Sequence, residues 1–510
     1  MRVFFSLIFF GPLLCIVSCG RSGCFGGRGP ADALLAQVED YQLPNGLRVL
    51  LLPRGEAPVF TGVVQVRVGG IEEPPGKAGL AHMFEHMAFK GTPEIGTLNW
   101  EEESVLLTEI RQLDVQLTQL PVEAVAQRQA LVNARNRRFQ EARAVIASNE
   151  LWSLFHNNGA AELNAFTGKD LTTYYARMPS DAVRLWVYLM SQMVHRPVMR
   201  EFYAERDVVM EERRTSVDNN PSGQLFEALL RTAYTTSPYR EMTIGSMEEL
   251  QGLTMADAEA FHATYYHPER MVVAVVGHFD VKAAKTSIAT FFGAIPPQST
   301  PGARVVPPGG TVREADPPRE PVQQAERRVE VTNDASPKVM IAYHKPTLPH
   351  RDDYLFDAIQ YLLCHGESGR LIKYLERDRQ MARHVGCWSS SPGSRLENLF
   401  IISAEPLEGH STAAVVAEIE TVLETFRTDL VSRDALRSVQ KNLQADFLWE
   451  LNDNESLAQQ LAYFQTVAGD WRYAVTHSQI MATITAEELR DAALRRLQPH
   501  QRTIAVLRRP

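Results

Sequence analysis

Val64, Val66 and Val68 alternate with Gln65 and Arg67, the two-residue period of a strand with one face buried. Two unbroken apolar runs, Met271 to Gly277 and Val339 to Tyr343, read as further strands, and Leu163 to Thr167 as another. Asn45-Gly46 between apolar runs signals a hairpin, and Pro74-Pro75-Gly76 interrupts the chain ahead of a helix. In that helix Leu80, Met83, Phe84 and Met87 form an apolar stripe, while His82, Glu85 and His86 fall within about 100° of arc on the opposite side. An apolar helix follows around Ala182 to Met193, another runs through Glu205 to Arg214, and a third starts near Asp353. Between Leu98 and about Leu154 the chain is rich in Glu, Gln, Arg, Leu and Ala and is broken by Pro121, which predicts an antiparallel helical hairpin. A solvated helical excursion is the favoured reading of this hairpin, with a grip on substrate or partner the alternative.

One segment recurs. Leu253-Thr254 through Pro268 to Val275 aligns without a gap on Ile484-Thr485 through Pro499 to Val506, each a Thr-capped helix, a Pro-marked turn and a terminal strand. The prolines from Pro296 to Pro321 mark a linker over 296–326, expected to be exposed. The expectation is an α+β fold of two similar domains, 37–295 and 327–510, each an antiparallel-rich sheet packed with helices, the first carrying a helical insertion over 98–154.

With 510 residues, 45% hydrophobic and 22% charged, the chain has an ordinary globular composition. A net charge of -9 without long runs of like charge gives no reason to expect a nucleic-acid partner. Met1-Arg2 precedes an apolar run from Val3 to Val17, too short for an ordinary membrane span, so 1–19 reads as an export signal. Ile16-Val17-Ser18-Cys19 also fits a bacterial lipobox, in which Cys19 becomes the lipidated first residue; a plain secretory signal cleaved nearby is the alternative. Gly20, where an Asp would mark inner-membrane retention, points to the outer membrane, and the Gly-rich stretch 20–36 to a flexible tether. The expected location is the periplasm or outer membrane. Beyond the leader the cysteines are Cys24, Cys364 and Cys387; a Cys364–Cys387 pair in an oxidising envelope and buried free thiols both remain open.

The chemistry centres on His82-Met83-Phe84-Glu85-His86. Histidines one helical turn apart can reach one metal, and the intervening Glu points into the same space without having to bind it. Two satisfied histidines on a solvated face are the plain alternative. Glu205 and Glu212 lie two turns apart and share a helix face, although Glu is common on solvated helices.

The inverted order H-x-x-E-H is the inverzincin arrangement, and the chain resembles the pitrilysin, insulin-degrading enzyme and mitochondrial processing peptidase family. The resemblance covers nearly all of the chain after residue 37: Tyr41 to Leu47, the helix with its trailing Phe89-Lys90-Gly91-Thr92, Leu163 to Thr167 followed by Thr173-Tyr174-Tyr175, and Glu205 to Glu212. It implies one Zn2+ per chain held by His82, His86 and Glu212, with Glu85 as general base and Glu205 as its supporting acidic residue. It also implies peptide-bond hydrolysis on an extended, unfolded polypeptide that adds to a sheet edge at Asn164 and Ala165. The second half carries Ala358 to Leu363 at the place of the metal helix, without ligands, so only the first half is expected to hold zinc. The family's substrate-binding Arg and Tyr of that half match Arg377 and, instead of Tyr, His384. Either His384 donates the hydrogen bond or a second subunit supplies it. A chain of this size resembles half of the family's clamshell, so a homodimer or a heterodimer with a homologous subunit is expected. A non-catalytic subunit of a peptidase complex is the competing reading.

Overall fold

The computed structural model describes residues 36–298 and 317–510. The export signal 1–19 with Cys19, nearly all of the tether and 299–316 of the linker lie outside the described residues. The first half contains β1 (Glu39–Gln42), β2 (Arg48–Pro53), β3 (Val59–Val66), α1 (Leu80–Ala88), α2 (Trp100–Gln119), α3 (Val125–Arg143), β4 (Ala161–Thr167) and β5 (Thr172–Pro179). It continues through α4 (Val183–His195), α5 (Phe202–Arg213), α6 (Pro221–Ala233), α7 (Met255–Tyr265) and β6 (Met271–Gly277). The second half contains β7 (Arg327–Thr332), β8 (Lys338–Lys345), α8 (Arg351–Cys364), β9 (Ala382–Ser391), β10 (Asn398–Pro406), α9 (Arg433–Glu450), α10 (Asn454–Ala468), α11 (Ala486–Arg496) and β11 (Arg502–Arg508). Further helices complete each half, among them Val281–Phe291 in the first and Thr412–Thr428 in the second.

The two sheets repeat one plan. The first has strand order β1-β2-β6-β3-β5-β4 and the second β7-β11-β8-β10-β9, so the second is the first without β1. Among the described residues only β2 with β6, and β7 with β11, run parallel; every other strand pairing is antiparallel. Capping boxes at Thr254 with Asp257 and at Thr485 with Glu488 start α7 and α11, the recurring segment seen in the sequence. Both the α+β class and the two similar sheets are those expected.

The halves exchange helices. The outer face of the first sheet, with Leu50, Leu52, Val63, Ala274 and Val276, is covered by Leu457, Ala458, Leu461 and Ala462 of α10, from the second half. In return Leu225, Leu229, Leu230 and Ala233 of α6 cover Met340, Ala342, Leu399, Ile401 and Leu507 of the second sheet. Each large side chain buried this way contributes roughly 1.5–3 kcal/mol, so neither half is complete without the other. The exchange corrects the half-buried reading of the strand at Val64: seven of the eight residues of β3 are buried. Gln65 is buried too, donating to the Ala462 carbonyl at 2.9 Å and accepting from Thr173 at 3.1 Å.

The described end of the linker is likewise not simply exposed, because the buried Glu320 carboxylate accepts the N–H groups of Thr235, Thr236 and Ser237 at 2.8 to 3.1 Å. The helical insertion differs from expectation in two ways. A third short helix, Glu150–Asn157, follows the hairpin, and α2 buries Glu103, Leu107, Ile110, Asp114 and Leu117 against the body. Among the described residues no helix is long and apolar enough to cross a membrane.

Cys364 at the end of α8 and Cys387 on the edge strand β9 form a disulfide, with Cα atoms 5.7 Å apart. The bond closes a loop of sequence separation 23 and so restricts the unfolded chain. Replacing both cysteines by Ser is expected to lower unfolding free energy by about 3 kcal/mol. Denaturant titration of the oxidised wild type against the double variant checks this, and added reductant should bring the wild type to the variant's midpoint.

Candidate metal centre

α1 begins at Gly79, whose φ of 94° suits glycine; a Cβ there would also meet the Ile244 carbonyl oxygen at 2.6 Å. The buried Glu73 carboxylate caps the helix, accepting the N–H groups of Gly79 at 3.0 Å and Ala81 at 2.8 Å. Leu80, Met83, Phe84 and Met87 join the core of the first half. That burial turns His82, Glu85 and His86 toward α5, which presents Glu205 and Glu212.

His82 Nε2 lies 3.8 Å from one Glu212 oxygen and His86 Nε2 lies 3.7 Å from the other. One donor atom from each of the three residues falls within 4.8 Å of the other two. Separations of 3.7 and 3.8 Å exceed a hydrogen bond, so these groups do not satisfy one another directly. Ligand bonds of about 2.0–2.2 Å place the donors of a tetrahedral zinc site roughly 3.3–3.6 Å apart; the two Glu212 contacts lie just above that range, and the three donors together span up to 4.8 Å.

The electrostatics fit a cation as well. Burial, helped by the neighbouring His86, pushes His82 down to about 3 and keeps it neutral, the state a ligand needs. Its Nδ1 is buried without a hydrogen-bond partner among the described residues, so packing and whatever Nε2 binds orient the ring. Burial would also lower His86, but the hydrogen bond with Glu205 and the charges of Glu85, Glu205 and Glu212 outweigh it and raise its pKa. His86 Nδ1 donates to Glu205 at 3.0 Å, which aims Nε2 at Glu212. Burial alone would raise Glu205, yet hydrogen bonds from His86 and Lys90 hold it down to about 2.

Glu85 is buried and points between the triad and the sheet. Burial pushes its carboxyl up to about 7, with His86 and a hydrogen bond from Thr167 pulling the other way. Thr167 ends β4 and donates to Glu85 at 2.6 Å. β4 is the edge of its sheet, with Asn164 exposed and Ala165 half-buried. The Asn164 side chain accepts the Ala165 N–H at 2.9 Å. One open strand edge therefore leads to the carboxylate that faces the triad.

Arg377 and His384 sit in the second half. Arg377 pairs with Glu367 at 2.6 Å, and His384 lies opposite Glu405 on β9, the edge of the other sheet. Sequence reasoning missed the groups that hold the site. Thr167 and Lys90 stood inside the quoted motifs, but their bonds to Glu85 and Glu205 join distant segments. It also missed the latch on the β4–β5 turn, where Asp170 accepts from Tyr239 at 2.5 Å and from the Arg395 N–H at 3.2 Å. Arg395 in turn pairs with Glu72 at 2.8 Å.

Fold and site together define an inverted-motif metallopeptidase scaffold. Two family models match: "Insulinase (Peptidase family M16)" over residues 48–107 and 139–246, and "Peptidase M16 inactive domain" over 252–443. The chain belongs to the M16 peptidase family. The zinc protease PqqE of Helicobacter pylori is 25% identical over 436 residues, 84% of this chain and 83% of the relative. A solved protease structure from Helicobacter pylori superposes with a TM-score of 0.75 at 24% identity, covering 93% of this chain and 99% of that one. The periplasmic protease PqqL from Escherichia coli superposes at 0.64 with 15% identity, covering 92% of this chain and 47% of the other.

Proposed function

We propose that the chain is a zinc-dependent endopeptidase of the bacterial cell envelope that hydrolyses peptides or unfolded protein segments. The observation that carries this is the convergence of His82, His86 and Glu212 beside a Glu85 held by the end of an open strand edge. Zinc would be held by those three side chains and, when bound, would supply a Lewis acid that polarises the scissile carbonyl and acidifies water. Glu85 takes the proton of the attacking water and returns it to the leaving amine. Thr167 keeps that carboxylate oriented, and Glu205 fixes the His86 ring through Nδ1. Substrate joins β4 as an extra strand along Asn164 and Ala165, so unfolded backbone is recognised more than particular side chains.

The catalytic domain in this reading is 37–295, and 327–510 is its non-ligating counterpart. Arg377 and His384 of the second half stand where the family has its substrate-binding Arg and Tyr, and either His384 donates the Tyr's hydrogen bond or a second copy or homologous subunit supplies it. This chain spans 47% of the Escherichia coli periplasmic protease it superposes on, which is what half of a closed chamber would cover. The disulfide supports an oxidising compartment, as does the likeness to that periplasmic protein, and Cys19 would be the lipid anchor.

Purified chain lacking residues 1–19 is expected to cleave a mixed library of unfolded peptides. Chelation should stop cleavage, and one equivalent of zinc should restore it. Full zinc occupancy with no cleavage would instead favour a partner-dependent subunit of a heteromeric peptidase.

A further inference from the structure

The helical hairpin grips the start of α5 and the two residues ahead of it at three places. Asp114 on α2, buried to 4% exposure, accepts a hydrogen bond from the Tyr203 hydroxyl and another from Arg135 on α3 at 3.0 Å. The Arg135 guanidinium lies 3.7 Å over the Tyr203 ring, and Phe139 meets the same ring edge-on at 6.0 Å. Arg200, just ahead of α5, is buried in a bidentate pair with Glu103 on α2 at 2.5 and 3.1 Å. Its remaining N–H groups hold the carbonyls of Lys90, Thr92 and Ile95, the loop that leaves α1. At the far end of α3, Arg143 pairs with Glu201 at 3.1 Å; Glu201 faces Lys90 at 3.7 Å, and Lys90 holds Glu205 at 2.5 Å.

We infer that Asp114 and Arg135 of the insertion are positioning residues for the metal triad, acting through Tyr203 on the helix that delivers Glu205 and Glu212. Both lie in the stretch 108–138 that the Insulinase family model leaves unmatched. Tyr203 precedes Glu205 by half a turn, so any rotation or slide of α5 at Tyr203 carries the Glu212 carboxylate with it. Metal sites demand placement to within about 0.5 Å, and the supporting shell of a ligand affects affinity accordingly. An apolar brace would set only the depth of α5. Hydrogen bonds from a buried carboxylate to a phenol and a guanidinium also set its rotation and register.

This inference rests on the zinc reading above, and its test separates the two. Zinc dissociation constants are measured on the purified full chain by chelator competition, together with the visible spectrum of the cobalt-substituted protein. Asp114→Ala is expected to raise the zinc dissociation constant about 10-fold or more and to shift the cobalt bands. Asp114→Asn, which keeps an acceptor for Tyr203, should rescue most of that loss. Arg138→Ala, which breaks exposed pairs with Glu109 and Glu141 on the same hairpin, should leave affinity unchanged. Should Asp114→Ala not fold, Tyr203→Phe removes only the hydroxyl, keeps the ring contacts, and should weaken zinc several-fold. A folded Asp114→Ala or Tyr203→Phe that binds zinc like wild type overturns the inference even if its melting temperature falls. A wild-type chain that binds no zinc overturns the metal reading itself, and the brace with it.

Discussion

Glu212→Gln is expected to yield a folded protein that no longer retains zinc through dialysis and no longer cleaves peptides. The Glu212 carboxylate spans the two imidazoles, one oxygen 3.8 Å from His82 and the other 3.7 Å from His86. An amide of the same shape loses the charge and turns a nitrogen donor toward one ring. Burial raises the Glu212 pKa, against the pull of His86, so a neutral side chain costs the metal-free fold little there. The loss of affinity should exceed the roughly 10–100-fold that follows removal of an outer partner, the range expected for Glu205→Gln. Zinc per chain after dialysis and a thermal melt check both statements. Stoichiometric zinc in folded Glu212→Gln would remove Glu212 from the ligand set.

How much of this was legible depends on range. His82, Glu85 and His86 share one turn, so their common face follows from the helical period alone. Glu212 comes from another helix, and spacing alone could not separate it from any solvated Glu; the family resemblance carried it. The strand at Val64 reads as half-buried because its polar partners alternate, yet Gln65 is buried by α10, whose covering role no local pattern announces. Glu320 is buried for the same reason: its partners, Thr235 to Ser237, lie on the far side of the linker.

Composition reads the helical insertion as solvated, and the departure from that lies on α2. The insertion's Glu, Gln and Arg content looks solvated, and much of α3 is. Glu103 and Asp114 are the exceptions, buried because each meets a partner near the start of α5, Arg200 and Tyr203. Composition cannot distinguish a charge that faces water from one that faces a distant guanidinium. The Cys364–Cys387 pair also remained open, because whether two thiols meet depends on the contact between α8 and β9.

In the proposed mechanism Glu85 moves the proton while His82, His86 and Glu212 hold the metal. The measurement that isolates it is hydrolysis of the unfolded peptide library by Glu85→Gln, with zinc per chain determined on the same samples. Glu85 is not among the three converging donors, so zinc content should equal that of wild type. A positioned general base is worth about 10²–10⁴-fold, and the rate should fall by roughly 10³-fold. Wild-type cleavage by zinc-loaded Glu85→Gln would contradict the account, because the proton would then be moving through some other group.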